Sequence, residues 1–140
     1  MKKLFTKLSH WFLGFVIFLY GLTKFFRMQG FDTKLTGEIS EVASDDLFWY
    51  FFGYSDVYLY YLGTVECLAG LLLFFERTKR LGLLMFLILL GNITLMDFVY
   101  NIGPVKYWAT FLTIYSAALI LLDIKPYERA LLALCSRNAD

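Results

Sequence analysis

Charge is scarce in this chain: 18% of its 140 residues are Asp, Glu, Lys or Arg, against 59% hydrophobic residues that include fifteen Phe, ten Tyr and three Trp. A water-soluble domain of this length would lack the polar surface to cover itself, so the composition argues against one. Cysteine is nearly absent too. Cys67 and Cys135 form no C-x-x-C pair, no Cys/His cluster of zinc spacing and no disulfide framework, which argues against thiol redox chemistry and a structural metal. The one histidine, His10, adjoins Trp11 and fits a solvated or headgroup-contacting role better than catalysis. With a formal net charge of +1 and no basic stripe interleaved with aromatics, the chain predicts no nucleic-acid partner. No phosphate loop, nucleophile elbow or metal-ligand set is visible.

What is present is a series of long apolar runs. Four can be drawn, at about 8–27, 57–75, 81–100 and 105–122, each near the roughly 20 residues that cross the hydrocarbon core of a bilayer. The first run follows Met1-Lys2-Lys3 and could pass for a secretory signal peptide. No small-x-small cleavage site follows it, so it is read as a retained helix. Ser55-Asp56 offers an N-cap for the second run and Thr78 for the third, while Pro104 suits the first turn of the fourth and Asp123 to Pro126 ends it. Short links on either side of the third run predict antiparallel neighbours. The longer stretch 29–56 reads as an outer lid: Ser44-Asp45-Asp46 caps a short aromatic helix lying on the membrane surface. The fold predicted is all-α, one integral domain over 1–140: a four-transmembrane-helix up-and-down bundle with a short outer interfacial helix between helices 1 and 2, and a tail from 123 to 140.

Basic residues set the orientation. Lys2, Lys3, Lys7, Arg77, Lys79, Arg80, Lys125, Arg129 and Arg137 fall on one side, nine of the thirteen, while Asp32, Glu38, Glu41, Asp45, Asp46 and Asp56 fall on the other. The positive-inside rule then places both termini in the cytoplasm. Arg77, Lys79 and Arg80 form a cytoplasmic basic loop that serves chiefly as this orientation signal.

Polar residues inside the runs are the candidate site. Counting 1.5 Å per residue from the cytoplasmic ends puts Glu66, Asn92 and Thr113 at roughly 15–17 Å, one layer near the membrane middle. Lys24, Asp97 and Lys106 fall at about 24 Å, an outer layer in which Asp97 could pair with Lys24 or Lys106. Gly63, Glu66 and Gly70 share a helical face, as do Gly14, Gly21 and Lys24, so small residues flank each charge. Asn92 and Asp97 are about 140° apart on the wheel and are expected to face different neighbours. Desolvation favours a neutral Glu66 that hydrogen-bonds Asn92, unless Lys24 or another cation reaches it. With a neutral Glu66, Glu66→Gln leaves stability nearly intact.

Gly21-Leu22-Thr23-Lys24, Glu66 with Gly70-Leu71-Leu72-Leu73, Arg77-Thr78-Lys79-Arg80-Leu81-Gly82, and Asn92-Ile93-Thr94-Leu95-Met96-Asp97, in that order, resemble the DoxX-like family of small bacterial membrane proteins over roughly residues 8–124. The resemblance implies a four-helix bundle in the bacterial cytoplasmic membrane and an association with respiratory or thiol-oxidation complexes. It nominates Lys24, Glu66, Arg77 and Asn92 without assigning them catalysis. Two functions follow as expectations. One is a non-catalytic accessory or assembly subunit of a membrane-bound redox or other complex, with a protein partner or a second copy of itself. The other is a site in which Glu66 and Asn92 hold a quinone-like or other apolar ligand, or relay a proton, beneath the Phe48 to Tyr54 cover. No cofactor is evident beyond that quinone, and a polar-floored cavity at Glu66 would separate the two.

Overall fold

A computed structural model describes residues 2–28, 31–35 and 41–136, and six helices account for most of these residues. They are α1 (Lys2–Phe25), α2 (Ser44–Gly53), α3 (Asp56–Phe74), α4 (Lys79–Val99), α5 (Val105–Leu122) and α6 (Ile124–Ser136). There is no strand among the described residues. Glu38 and Arg137, used above to orient the chain, lie outside them, as do parts of the 29–56 stretch.

Four helices, α1, α3, α4 and α5, are long and apolar enough to cross a bilayer, with spans of 22, 19, 21 and 18 residues. Their outward faces are apolar, with Phe15, Leu71, Ile88, Ile114 and Leu121 among the exposed residues, as a hydrocarbon surround requires. Leu13, Ile17, Leu73, Phe86, Leu90 and Leu112 form the buried core. α3 packs on α1 and on α4, and α4 on α5.

The α1–α3 seam is set by glycine. A Cβ on Gly70 would lie 2.7 Å from the Gly14 carbonyl oxygen, and one on Gly21 would lie 2.7 Å from that of Gly63. Numbers that rise along one helix and fall along the other make the pair antiparallel. The seven-residue spacing on both helices keeps the two glycine contacts on one stripe.

Ser55 caps α3, its hydroxyl accepting from Tyr58 N. Thr78 precedes α4 without a side-chain cap and instead donates to Leu72 O at 2.9 Å, closing the α3–α4 turn. The residue before α2 is Ala43, and the Ser44 hydroxyl donates to Tyr100 O at 2.9 Å, tying α2 to the end of α4. The tail expected after Asp123 is the helix α6. The fourth run does end where Asp123 to Pro126 was expected to stop it, since α5 closes at Leu122, and Pro126 is then the third residue of α6, where an amide N–H has no helical partner to lose.

Candidate functional site

Lys24 and Glu66 form the buried pair at the centre of the site. Lys24 Nζ donates to Glu66 Oε2 at 2.6 Å, and the side chains are 6% and 4% exposed. Of the two partners left open for Glu66, the geometry brings Lys24 and not Asn92, although Cα depth put Lys24 in a separate layer. Counting Cα positions left out the direction of the side chains. Cα–Cβ bonds tilt toward the N-terminus of their own helix, and α1 and α3 are antiparallel, so the lysine stem and the glutamate stem lean toward each other along the seam. Gly63 admits the lysine: a Cβ on it would sit 3.2 Å from Lys24 Cβ.

Asp97 is the second buried carboxyl, 3% exposed. Neither expected partner reaches it. Lys24 is engaged by Glu66, and Lys106 donates to Asn101 Oδ1 at 2.5 Å and lies against the Phe98 and Tyr107 rings. Asp97 Oδ2 is the buried side-chain atom with no hydrogen-bond partner among the described residues. Lys24, Glu66 and Asp97 all line one cavity of about 70 Å³. Tyr20, Phe31, Phe48, Trp49, Phe52 and Tyr58 wall it, and Asn92 lines it from an exposed position. Asn92 and Asp97 therefore share a chamber despite their wheel separation, because the cavity extends along α4 from one to the other. Four aromatics of the 48–58 stretch, Phe48, Trp49, Phe52 and Tyr58, are among these walls, while Phe51 and Tyr54 are exposed. Phe48 is buried, with its ring 4.9 Å from Trp49, 4.6 Å from Phe52 and 5.4 Å from Tyr100.

α2 closes one end of this chamber, and Arg27 holds it there. Its guanidinium donates to Phe31 O and Gly53 O, each at 2.9 Å, to Asp32 at 2.6 Å, and to Asp56 at the start of α3. The Asp32 hydrogen bond is the main cause of a guanidinium pKa above its ordinary value, so the latch stays cationic at any physiological pH. Reading the sequence alone missed this residue, which appeared only as one more charge on the acidic side. Its signal was the density of acids on both sides of α2. Arg27→Ala is expected to raise amide hydrogen exchange over Ser44–Gly53 at least roughly tenfold while leaving the α3–α4 core protected. Equal exchange in wild type and variant would show that the latch is ornamental.

The remaining candidates lie elsewhere. Thr113 shares a 2.9 Å hydrogen bond with Thr94 between α5 and α4 and is not among the residues that line the chamber with Glu66 and Asn92. At the opposite end of the bundle, Lys79 donates to Glu76 at 2.6 Å and Arg80 to Asp123 at 3.1 Å, while Arg77 is exposed. The Lys79 hydrogen bond holds the Glu76 carboxyl below its ordinary value, so that link survives mild acid and is lost only as pH falls through the depressed pKa. His10 is buried, its Nδ1 2.6 Å from Thr6 O, rather than solvated.

Over 118 residues the chain is 36% identical to the uncharacterized protein YwoB of Bacillus subtilis (strain 168), an alignment covering 83% of this chain and 75% of that one. No family model matches the chain. No solved structure matches it.

Proposed function

The chain belongs to the family of Bacillus subtilis YwoB, and for it we propose a role as an integral protein of the bacterial cytoplasmic membrane that binds a small polar molecule in the chamber under α2, without covalent catalysis. In this reading the four long helices run up and down across the bilayer. Both termini are cytoplasmic and α2 is the outer lid. The bias of lysine and arginine toward the end that carries the α3–α4 turn supports that orientation.

One observation carries the binding role: Asp97, buried and with an oxygen that has no hydrogen-bond partner among the described residues, lines a cavity that the Lys24–Glu66 pair also lines. Leaving such a group unsatisfied costs about 1–3 kcal/mol, more when charged. A ligand that satisfies it accounts for its retention. The accessory-subunit role that the DoxX-like resemblance suggests would use outward faces and needs no chamber. A quinone fits poorly, since a cavity of about 150 Å³ is what admits a benzene ring and this one offers about 70 Å³.

Two measurements test the reading. Purification in mild detergent followed by mass spectrometry should release a small molecule from wild type that is missing from Asp97→Asn. A stoichiometric protein partner with no small molecule would return the argument to an accessory subunit. Cys135, exposed on α6, should react with a membrane-impermeant maleimide in inverted vesicles and stay unlabelled in intact cells. The reverse pattern would turn the protein over and put the lid on the cytoplasmic side.

A further inference from the structure

We infer that the molecule held in the chamber is a small organic cation, an alkylammonium of a few heavy atoms, bound by Asp97 against the aromatic walls; this rests on the binding role proposed above. Charge gives the first argument. Two carboxyls share the chamber with one lysine, and that lysine donates to Glu66 at 2.6 Å. Asp97, 3% exposed, is left with an oxygen that has no partner among the described residues. A buried carboxylate in low dielectric is costly until a positive charge or strong donors reach it. An ammonium supplies both, a neutral molecule only a hydrogen bond, and an anion makes matters worse.

The walls point the same way. Aromatic rings attract cations through their quadrupoles and offer nothing comparable to anions. The chamber already holds one ammonium in this manner: Lys24 Nζ lies 4.7 Å from the centre of the Tyr20 ring and 5.8 Å from that of Phe31 while bonded to Glu66. A free alkylammonium would repeat at Asp97 what Lys24 does at Glu66. Size agrees, because about 70 Å³ takes a few heavy atoms and excludes a ring. A divalent metal is disfavoured by the donor set, since Ca²⁺ asks for six to eight oxygens and one of the two carboxylates is already engaged by lysine.

The test titrates the full chain in mild detergent with ethylammonium chloride, with ethanol as a neutral probe of similar shape and sodium acetate as an anion, at constant ionic strength. Trp49, in the chamber wall, reports occupancy by fluorescence, and calorimetry gives the affinities. Saturable binding of ethylammonium is expected, weakened at least roughly tenfold by Asp97→Asn and about threefold by Phe52→Leu, which keeps that wall apolar but removes a ring. Ethanol or acetate binding as well as ethylammonium does, or ethylammonium binding unchanged in both variants, overturns the cation and leaves the chamber a ligand site. If Asp97→Asn fails to fold, Phe52→Leu decides. No saturable binding of any of the three also overturns the cation, and the wider binding role then stands or falls with the small molecules released on purification.

Discussion

Glu66→Gln is expected to destabilise the folded protein in mild detergent by about 3–5 kcal/mol, the cost of stranding one member of a buried ion pair. The substitution keeps the shape of the side chain and removes only its charge. Lys24 then remains 5% exposed with no carboxylate at Oε2, held by ring faces that replace a small part of what it lost. Removing both charges should be far milder. Lys24→Met with Glu66→Leu leaves nothing unpaired, and apolar replacements of buried pairs are often neutral. The double variant should therefore recover most of the loss, giving a coupling of a size seen for residues in direct contact. Asp97 refines the expectation, since it lines the same cavity and offers a stranded Lys24 a second acceptor. Glu66→Gln combined with Asp97→Asn removes that refuge and should cost more than the sum of the two. Denaturant or thermal unfolding of the purified variants measures all of these. A Glu66→Gln protein as stable as wild type would mean that the carboxyl is neutral in the native state and that the pair is not what holds α1 to α3 at this level.

The difference between this expectation and the one drawn from sequence alone shows what the residues made legible. The four long helices were visible because bilayer crossing imposes a run length, and their observed bounds differ from the apolar runs by a few residues. The charged residues of the site were visible because an ionisable group in an apolar run stands out. Lys24 was one of two partners open to Glu66, and the residues alone did not choose between it and Asn92. Depth was counted at Cα, whereas a lysine stem reaches several ångströms and leans by helix direction, so Lys24 was assigned a different layer from the glutamate it meets. The seven-residue spacing of Gly14 and Gly21, matched by Gly63 and Gly70, carried the missing register, since it seats the two glycine pairs on one antiparallel stripe. Helix α6 was also signalled, by Ile124, Tyr127 and Leu131 at helical spacing, but Pro126 was given the role of a stop. The acids around Arg27 signalled part of its latch, Asp32 and Asp56, but its other acceptors are the carbonyls of Phe31 and Gly53, and backbone acceptors have no residue signature.

Gly70→Leu should produce a loss comparable to that of Glu66→Gln, at a position about one helical turn from the Glu66 carboxylate. Overpacking a core that can adjust costs about 1–3 kcal/mol, and occasionally more. Here the obstacle is backbone: the new Cβ would meet Gly14 O at 2.7 Å and Phe18 N at 3.0 Å, and neither can rotate away. The helices must separate, and the close approach that brings Lys24 to Glu66 weakens with them. Gly70→Leu and Glu66→Gln should accordingly be less than additive, because the first already loosens what the second removes. Gly91→Ala is the control. A Cβ there meets nothing within 4 Å, so the change should be neutral or gain up to about 1 kcal/mol from helix propensity. Unfolding in detergent of Gly70→Leu, Gly91→Ala and the double variant Gly70→Leu/Glu66→Gln decides the matter. Strict additivity of the Gly70 and Glu66 changes would show that the glycine seam and the ion pair are independent, and that the pair would form between α1 and α3 without their backbones in contact.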